Sequence, residues 1–163
     1  MKTEVLNENQ IMRICNRFAF QILENSDDFD DIHLIGIKEK GFEVAKIIEN
    51  ELKLISNKNI CLNSIKINKK NPKDPVSSDI NLKTKYKTIF LIDDVLNTGK
   101  TLTYSLSFLL KFNFKSIKTL VLIDRNHKEF PIKVDYKGIS LSTNIDDNIK
   151  LVNDKKKLKA VLF

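Results

Sequence analysis

The sequence predicts an α/β fold, with a doubly wound, mostly parallel sheet flanked by helices. The alternation of its apolar segments predicts this fold. Short apolar runs at 32–37, 89–92 and 117–123 alternate with stretches of helical periodicity, as in βαβ units with right-handed crossovers. The chain of 163 residues shows neither an internal repeat nor a linker. We therefore expect one domain covering residues 1–163.

The first elements follow from spacing and capping residues. Apolar residues recur at helical spacing from Ile11 to Leu23, and Asn7 and Gln10 are placed as a capping box. The run Ile32–Ile37 predicts a short strand, and Phe42–Leu52 has helical periodicity. The predicted order is helix, strand, glycine loop, helix.

The middle of the chain continues this alternation. The segment 60–67 predicts a strand, and the charged, proline-containing stretch 68–75 predicts an exposed loop. The β-branched run 89–92 predicts a buried strand, as does 117–123. One side of the intervening helix is predicted to consist of Leu102, Leu106, Leu109 and Leu110. From residue 124 onward the pattern is less regular.

Two adjacent acids, Asp93 and Asp94, follow the strand at 89–92. Ligands of open α/β sheets bind at this end of a strand, and two carboxylates can accept hydrogen bonds from a vicinal diol. The turn at 97–101 can present backbone N–H groups and threonine hydroxyls to a phosphate, beside the positive end of a helix. For the acid pair alone, an ordinary helix start is the alternative.

Gly99 favours the ligand-binding interpretation. The chain has only four glycines, and this one lies where a backbone must approach a ligand closely or adopt a positive φ. The Gly-x-x-x-x-Gly-Lys spacing of a nucleoside triphosphatase loop is absent. The segment therefore predicts a site for a phosphorylated ribose. The loop Lys38–Gly41 adds backbone N–H groups and two ammonium groups, and Lys40 could meet a pyrophosphate as a point charge.

Residues 93–101 resemble the phosphoribosyl-pyrophosphate (PRPP) signature of type I phosphoribosyltransferases, two acids followed by x-x-x-Thr-Gly-x-Thr. The segment 124–132, Asp-Arg-Asn-His-Lys-Glu-Phe-Pro-Ile, is similar to the PyrR group. Members of that group are uracil phosphoribosyltransferases and, in many bacteria, RNA-binding attenuators of pyrimidine operons. The resemblance implies the type I phosphoribosyltransferase fold, with a small C-terminal hood at 123–138 that holds the base.

The resemblance also implies roles for individual residues. Asp93 and Asp94 would be the catalytic acids, contacting the ribose hydroxyls and Mg²⁺ through water or PRPP. The phosphate would be held by Val95, Leu96, Asn97, Thr98, Gly99, Lys100 and Thr101. Pyrophosphate would be held by Lys38, Glu39, Lys40 and Gly41. Base contacts in the hood would come from Ile123, Asp124, Arg125, Val134 and Asp135.

The implied reaction converts uracil and PRPP to UMP and pyrophosphate, with Mg²⁺ as cofactor. We expect the chain to form a homodimer or higher homo-oligomer. One alternative is a nucleotide-sensing, RNA-binding regulator with weak or no catalysis. The other is a purine phosphoribosyltransferase. Asn97 stands where 6-oxopurine enzymes carry an acid that exchanges a proton with the purine, and an amide cannot do this.

Three segments depart from the family pattern. The pyrophosphate loop has Glu39-Lys40-Gly41 instead of Thr-Arg-Gly. The ammonium group of Lys40 replaces a forked guanidinium, and Glu39 adds a negative charge. The segment 67–71 lacks the Tyr-Arg-Asp-Asp type of mobile loop. In the first helix, 12–16 keeps only the arginine of the Thr-Arg-x-x-His pattern seen in RNA-binding members. RNA is therefore a doubtful partner.

Composition sets further expectations. A net charge of +7 suits anionic partners without choosing among them. Cys15 and Cys61 lie far apart without a Cys-x-x-Cys pair, so their spacing suggests neither a zinc site nor a disulfide. We expect His33 to be structural, and His127 to lie at a binding site, an interface or the surface. No leader or membrane span is apparent, so we expect a cytoplasmic protein without membrane partners.

Overall fold

The computed structural model describes residues 2–28, 30–80 and 87–163. Its helices are α1 (Glu8–Glu24), α2 (Lys40–Ile55) and α3 (Lys100–Leu109). Its strands are β1 (Thr3–Leu6), β2 (Ile32–Ile37), β3 (Ile60–Lys66), β4 (Ser77–Ser78), β5 (Thr88–Leu96), β6 (Ser116–Asp124), β7 (Tyr136–Ser140), β8 (Ile149–Asp154) and β9 (Lys157–Leu162).

Six strands form the main sheet in the order β4-β3-β2-β5-β6-β7. All neighbours are parallel except the short edge strand β4, which is antiparallel to β3. Successive residues of β5 face opposite sides. Phe90 and Ile92 pack in the cluster that includes α1 and α2, whereas Ile89 and Leu91 pack in the cluster that includes α3. The predicted doubly wound, mostly parallel α/β sheet is thus confirmed.

A second sheet joins the two ends of the chain. It is antiparallel, with the order β1-β9-β8, and Thr3 pairs with Leu162. Its buried residues, such as Leu6 and Leu151, belong to the same core cluster as α1. The family resemblance places the small C-terminal hood at 123–138. Those residues instead complete β6, form a loop and add β7 to the main sheet.

Local expectations at the start of the chain are confirmed. Asn7 Oδ1 accepts a hydrogen bond of 2.9 Å from the backbone N–H of Gln10, and Gln10 Oε1 accepts one of 2.9 Å from that of Asn7. This is the expected capping box of α1. The strand β2 has the predicted bounds. Helix α2 is longer than predicted, because it begins within the glycine loop at Lys40 and continues to Ile55.

Three details differ from the sequence-based expectations. Strand β4 was not predicted, since two serines carry no strand pattern. Pro72 is buried within the stretch predicted to be exposed. Leu110 lies beyond the end of α3 and is 75% exposed, because the chain turns there with Phe112 N donating to the Leu109 carbonyl. None of the helices in the described ranges is long and apolar enough to cross a membrane.

Candidate functional site

The acid pair lies within β5, which is longer than the predicted run. Pairing of β5 with β2 ends at Ile92, whereas pairing with β6 continues to Leu96. Asp93 and Asp94 therefore lie just past the end of β2, in a strand still supported on its other side. They are only 4% and 8% exposed. Two carboxylates are thus held side by side at the carboxyl edge of the sheet.

The charge of this pair is poorly compensated. Asp93 Oδ1 accepts a hydrogen bond of 2.9 Å from the backbone N–H of Asp94. Burial, and next the negative charge of Asp94, raise the pKa of Asp93 well above its usual range, while nearby Lys69 acts in the opposite direction. A cation bound here would relieve both effects. The donor set, carboxylate oxygens alone, suits the hard ion Mg²⁺.

The loop predicted to bind pyrophosphate meets the acid pair through Gly41. A Cβ at this position would lie 2.8 Å from both Cα and Oδ1 of Asp93. Only glycine permits this approach. Lys40 lines the adjacent cavity and pairs with Glu43 at 3.0 Å. Lys38 instead places its Nζ 5.6 Å from the ring centroid of Phe42, and the peptide bond between Lys38 and Glu39 is cis.

The predicted phosphate turn leads directly into α3. Gly99 has a φ of 86°, the positive value expected of a glycine chosen for backbone freedom. It precedes Lys100, the first residue of α3, and the helix has no side-chain cap and no acid in its first turn. Backbone N–H groups of the first turn lack intrahelical partners, so this end of the helix favours an anion.

A cavity of about 440 Å³ joins these parts. From the sequence-predicted set it collects Lys40, Asp93, Asp94, Val95, Leu96, Asn97, Thr98, Gly99, Lys100 and Thr101. Sequence reasoning missed the opposite wall, which is formed by Asn148, Ile149, Lys150 and Leu151 at the start of β8. In the sequence, β8 is indicated by an alternation of apolar and polar residues that begins at Ile149. That pattern does not show which sheet the strand joins. Lys69, in the stretch predicted to be an exposed loop, also lines the cavity.

The loop after β6 supports the phosphate turn from behind. The backbone N–H groups of Glu129 and Phe130 donate to the Thr98 carbonyl at 2.9 and 3.1 Å. A Cβ at Gly99 would lie 2.5 Å from Ile132 Cγ2. The segment that resembles the PyrR group therefore packs against the turn that carries the PRPP signature.

Arg125 connects this loop to Asn97. Its side chain, in a residue only 5% exposed, donates to Asn97 Oδ1 at 3.0 Å, to Thr143 Oγ1 at 2.8 and 3.0 Å, and to the Asn144 carbonyl at 3.1 Å. A second cavity of about 350 Å³ adjoins the first, and Asn97 lines both. His127 also lines the second cavity, and its Nε2 contacts the Thr143 carbonyl.

The remaining residues predicted for the base lie elsewhere. Asp124 is 1% exposed and its carboxylate pairs with Lys128 at 3.2 Å and Lys137 at 3.4 Å. Ile123 is fully buried in the core. Val134 packs in the cluster on the α3 side, and Asp135 accepts a hydrogen bond of 2.8 Å from Thr119 N in the middle of β6. The structure brings none of these four residues, Ile123, Asp124, Val134 and Asp135, to either cavity.

The chain is similar to proteins of one family. The family described as a phosphoribosyl transferase domain matches residues 1–155. The bifunctional protein PyrR of Haemophilus ducreyi is 32% identical over 160 residues, which cover 93% of this chain and 89% of that protein. The bifunctional protein PyrR of Pediococcus pentosaceus is 32% identical over 162 residues, with 93% and 92% covered.

Solved structures share the fold. The hypoxanthine phosphoribosyltransferase of Trypanosoma cruzi matches with a TM-score of 0.78 at 15% identity, covering 97% of this chain and 95% of that one. A hypoxanthine-guanine phosphoribosyltransferase of Bacillus anthracis matches with a TM-score of 0.74 at 18% identity, covering 90% and 86%. At these identities the likeness concerns the fold alone.

Proposed function

The chain belongs to the phosphoribosyl transferase domain family and, within it, to the PyrR group, and from this premise we propose that it transfers the phosphoribosyl group of PRPP to uracil, giving UMP and pyrophosphate. One observation carries the proposal. Asp93 and Asp94, the turn 97–101 and Lys40 line one cavity of about 440 Å³ at the carboxyl edge of a parallel sheet. This arrangement offers acceptors for a diol beside donors for a phosphate.

Each part of the cavity has a proposed role. The acid pair accepts hydrogen bonds from the ribose 2′- and 3′-hydroxyls, and the amino end of α3 holds the 5′-phosphate. Lys40, which lines the cavity, and Gly41, which brings the backbone against Asp93, form the pyrophosphate side with Lys38 and Glu39. A nitrogen of uracil gives its proton to solvent and forms a bond to the anomeric carbon, while the bond from that carbon to pyrophosphate breaks, through an oxocarbenium-like state. The chain contributes position and charge.

Mg²⁺ fits the acid pair, since oxygen ligands with excess negative charge are what this ion binds. It would be held by Asp93 and Asp94 through water or PRPP, and would neutralise charge on the pyrophosphate leaving group.

The preference for a pyrimidine rests on Asn97. This amide cannot exchange a proton with a purine nitrogen, and its oxygen is engaged by Arg125 at 3.0 Å. We therefore propose that 6-oxopurines are poor substrates. Base contacts are expected from Asn97, Arg125 and the adjoining cavity at 125–129.

Steady-state measurement of PRPP consumption with uracil, guanine, hypoxanthine and adenine tests the proposal. Uracil should be converted, while guanine and hypoxanthine should not. Efficient conversion of guanine would refute the base assignment. PRPP binding without conversion of any base would favour a nucleotide-sensing regulator instead.

The regulator is the second candidate because the matching relatives are named bifunctional and because this chain carries a net charge of +7. Filter binding with a pyrimidine leader RNA at several salt concentrations tests it. A steep loss of binding with salt would indicate phosphate contacts. We further propose that residues 1–163 act as one domain. We also propose that the chain forms a homo-oligomer, and analytical ultracentrifugation can measure the mass of that assembly.

A further inference from the structure

Three side chains with metal-ligating atoms converge at the end of the main sheet opposite the acid pair. They are Asp31, His33 and Cys61, and their donor atoms all lie within 4.8 Å of one another. Within the described ranges this is the one group of three or more such residues. It contains nitrogen, sulfur and oxygen donors, a mixture absent from the acid pair.

The parallel pairing of β2 and β3 creates this group. His33 and Cys61 are register partners on these neighbouring strands, so their side chains lie on the same face of the sheet. Asp31, immediately before β2, is two residues from His33. Cys61 lies 28 residues after His33 in the sequence, and the strands bring the two together only in the fold. The spacing of the cysteines therefore suggested no zinc site.

His33 lacks the partners that a buried imidazole needs. It is only 5% exposed, and among the described residues neither Nδ1 nor Nε2 has a hydrogen-bond partner. Buried polar groups are almost always paired. Burial also lowers the pKa of His33, and a neutral imidazole carries a nitrogen lone pair. A metal ion would satisfy that lone pair.

The local charge also favours a cation. Two carboxylates, the exposed Asp31 and Asp30, act on His33 against one ammonium group, Lys87, which is itself paired with Asp30. Burial, and next the charge of Asp31, raise the pKa of the Cys61 thiol. A cation placed between the sulfur and the carboxylate would turn this repulsion into attraction for both groups.

We propose that Asp31, His33 and Cys61 bind a first-row transition-metal ion, with Zn²⁺ as the representative ion and water as the fourth ligand. Sulfur and imidazole ligands select zinc-like ions over Mg²⁺. Ligand atoms around tetrahedral zinc lie roughly 3.5 Å apart. The donor atoms must therefore approach one another by about 1 Å, and the exposed side chain of Asp31 can make this movement. The ion would join β2 to β3 at their amino ends.

The test uses the full chain after treatment with a chelator. Co²⁺ is titrated while the thiolate-to-cobalt charge-transfer absorption is recorded, and Zn²⁺ is then added as a competitor. We expect the band to saturate at one Co²⁺ per chain and to disappear with Zn²⁺. We also expect Zn²⁺ to raise the melting temperature, because it binds the folded state. Absence of a thiolate band in the unmodified protein would overturn the proposal.

Variants assign the ligands. Cys61→Ser should abolish the band, and Asp31→Asn should weaken Co²⁺ binding by more than roughly tenfold, since even groups behind metal ligands contribute that much. Two matched controls should keep the band. Asp30→Asn removes the neighbouring carboxylate, which is paired with Lys87. Cys15→Ala removes the other thiol, whose pKa burial raises to about 12.

The acid pair is a possible competing site, and Asp94→Asn separates the two. This variant should keep the thiolate band in full, because no cysteine lines the cavity of Asp94. A band that persists in Cys61→Ser, or that Asp31→Asn leaves unchanged, would refute the three-ligand site. These results do not depend on phosphoribosyl transfer.

Discussion

Arg125 Nη1 donates a hydrogen bond of 3.0 Å to Asn97 Oδ1, and this bond determines which way the amide faces. Arginine has no acceptor, so the oxygen of Asn97 must face the guanidinium and the NH₂ group must face away. Position 97 therefore has N–H donors left for a ligand. A uracil carbonyl can accept from such a donor, in keeping with the proposed base.

Replacing this arginine tests the arrangement. Arg125→Lys removes the planar guanidinium that donates to Asn97, Thr143 and Asn144 at once. The oxygen atoms of these residues would then lack a hydrogen-bond donor. We expect destabilisation of about 1–3 kcal/mol and a raised KM for the base, with a smaller change in KM for PRPP. Thermal melting and steady-state kinetics measure these effects. Arg17→Lys is the control, because Arg17 is exposed and, among the described residues, donates to the backbone carbonyls of Lys137 and Gly138.

Introducing an acid at position 97 should not create a purine enzyme. In Asn97→Asp the new carboxylate would face Arg125, which would lower its pKa and make it a poor proton acceptor. We expect guanine and hypoxanthine to remain unconverted in steady-state assays, while uracil turnover falls. Substantial purine turnover by this variant would mean that residue 97 alone selects the base.

The ribose assignment depends on the charge of Asp94. Asp94→Asn keeps the shape of the strand but removes a charged acceptor, so Mg²⁺-PRPP affinity should fall by more than roughly tenfold, on the order of 1.5–3 kcal/mol. Calorimetry measures the affinity, and melting checks the fold. Asp146→Asn, on an exposed turn, should bind normally. Unchanged PRPP affinity in Asp94→Asn would exclude the acid pair as the ribose site.

The phosphate turn should not tolerate a side chain at residue 99. Gly99→Val places a β-branched residue at a φ of 86° and a Cβ 2.5 Å from Ile132 Cγ2. We expect UMP and PRPP both to bind at least about tenfold more weakly, with strain of order 1–3 kcal/mol. Ser107→Val, on the exposed side of α3, is the matched control. Normal UMP binding by Gly99→Val in calorimetry would place the phosphate elsewhere.

Lys69 should set the pH range of PRPP binding. The pKa of Asp93 is raised by burial and by Asp94, and Lys69 opposes the rise. Mg²⁺-PRPP needs the ionised carboxylate, so affinity should increase as pH rises through this pKa. Lys69→Met removes the opposing charge and should move the midpoint of the affinity profile to higher pH. Lys70→Met should leave it in place, and a midpoint unchanged in Lys69→Met would exclude this role.

Local patterns predicted the elements that carry the phosphate turn. The alternation of apolar runs and helical stretches predicted β2, α2, β3, β5, α3 and β6 in their order along the chain, and the glycine at residue 99 has the positive φ expected of it. The position of Gly41 against Asp93 joins two loops that were singled out separately. Such features follow from neighbours in sequence and from the rules of parallel sheets.

Long-range pairing determined what could not be predicted. β8 reaches the cavity only because β9 pairs with both β8 and β1, and no local pattern specifies that partner. The same limitation applies to Val134 and Asp135, whose role at the base was inferred from family resemblance. The loop before them supports the phosphate turn, while these two residues pack beside the middle of β6.

The pairing of residues 3–6 with 157–162 has a kinetic consequence. It closes a loop of nearly the whole chain, and contacts of such separation form slowly because the entropy of closure precedes any gain from the contact. The β8 wall of the cavity is held in place by this pairing. During synthesis, therefore, the main sheet can assemble first, and nucleotide binding should appear only once the last strand has emerged and found the first.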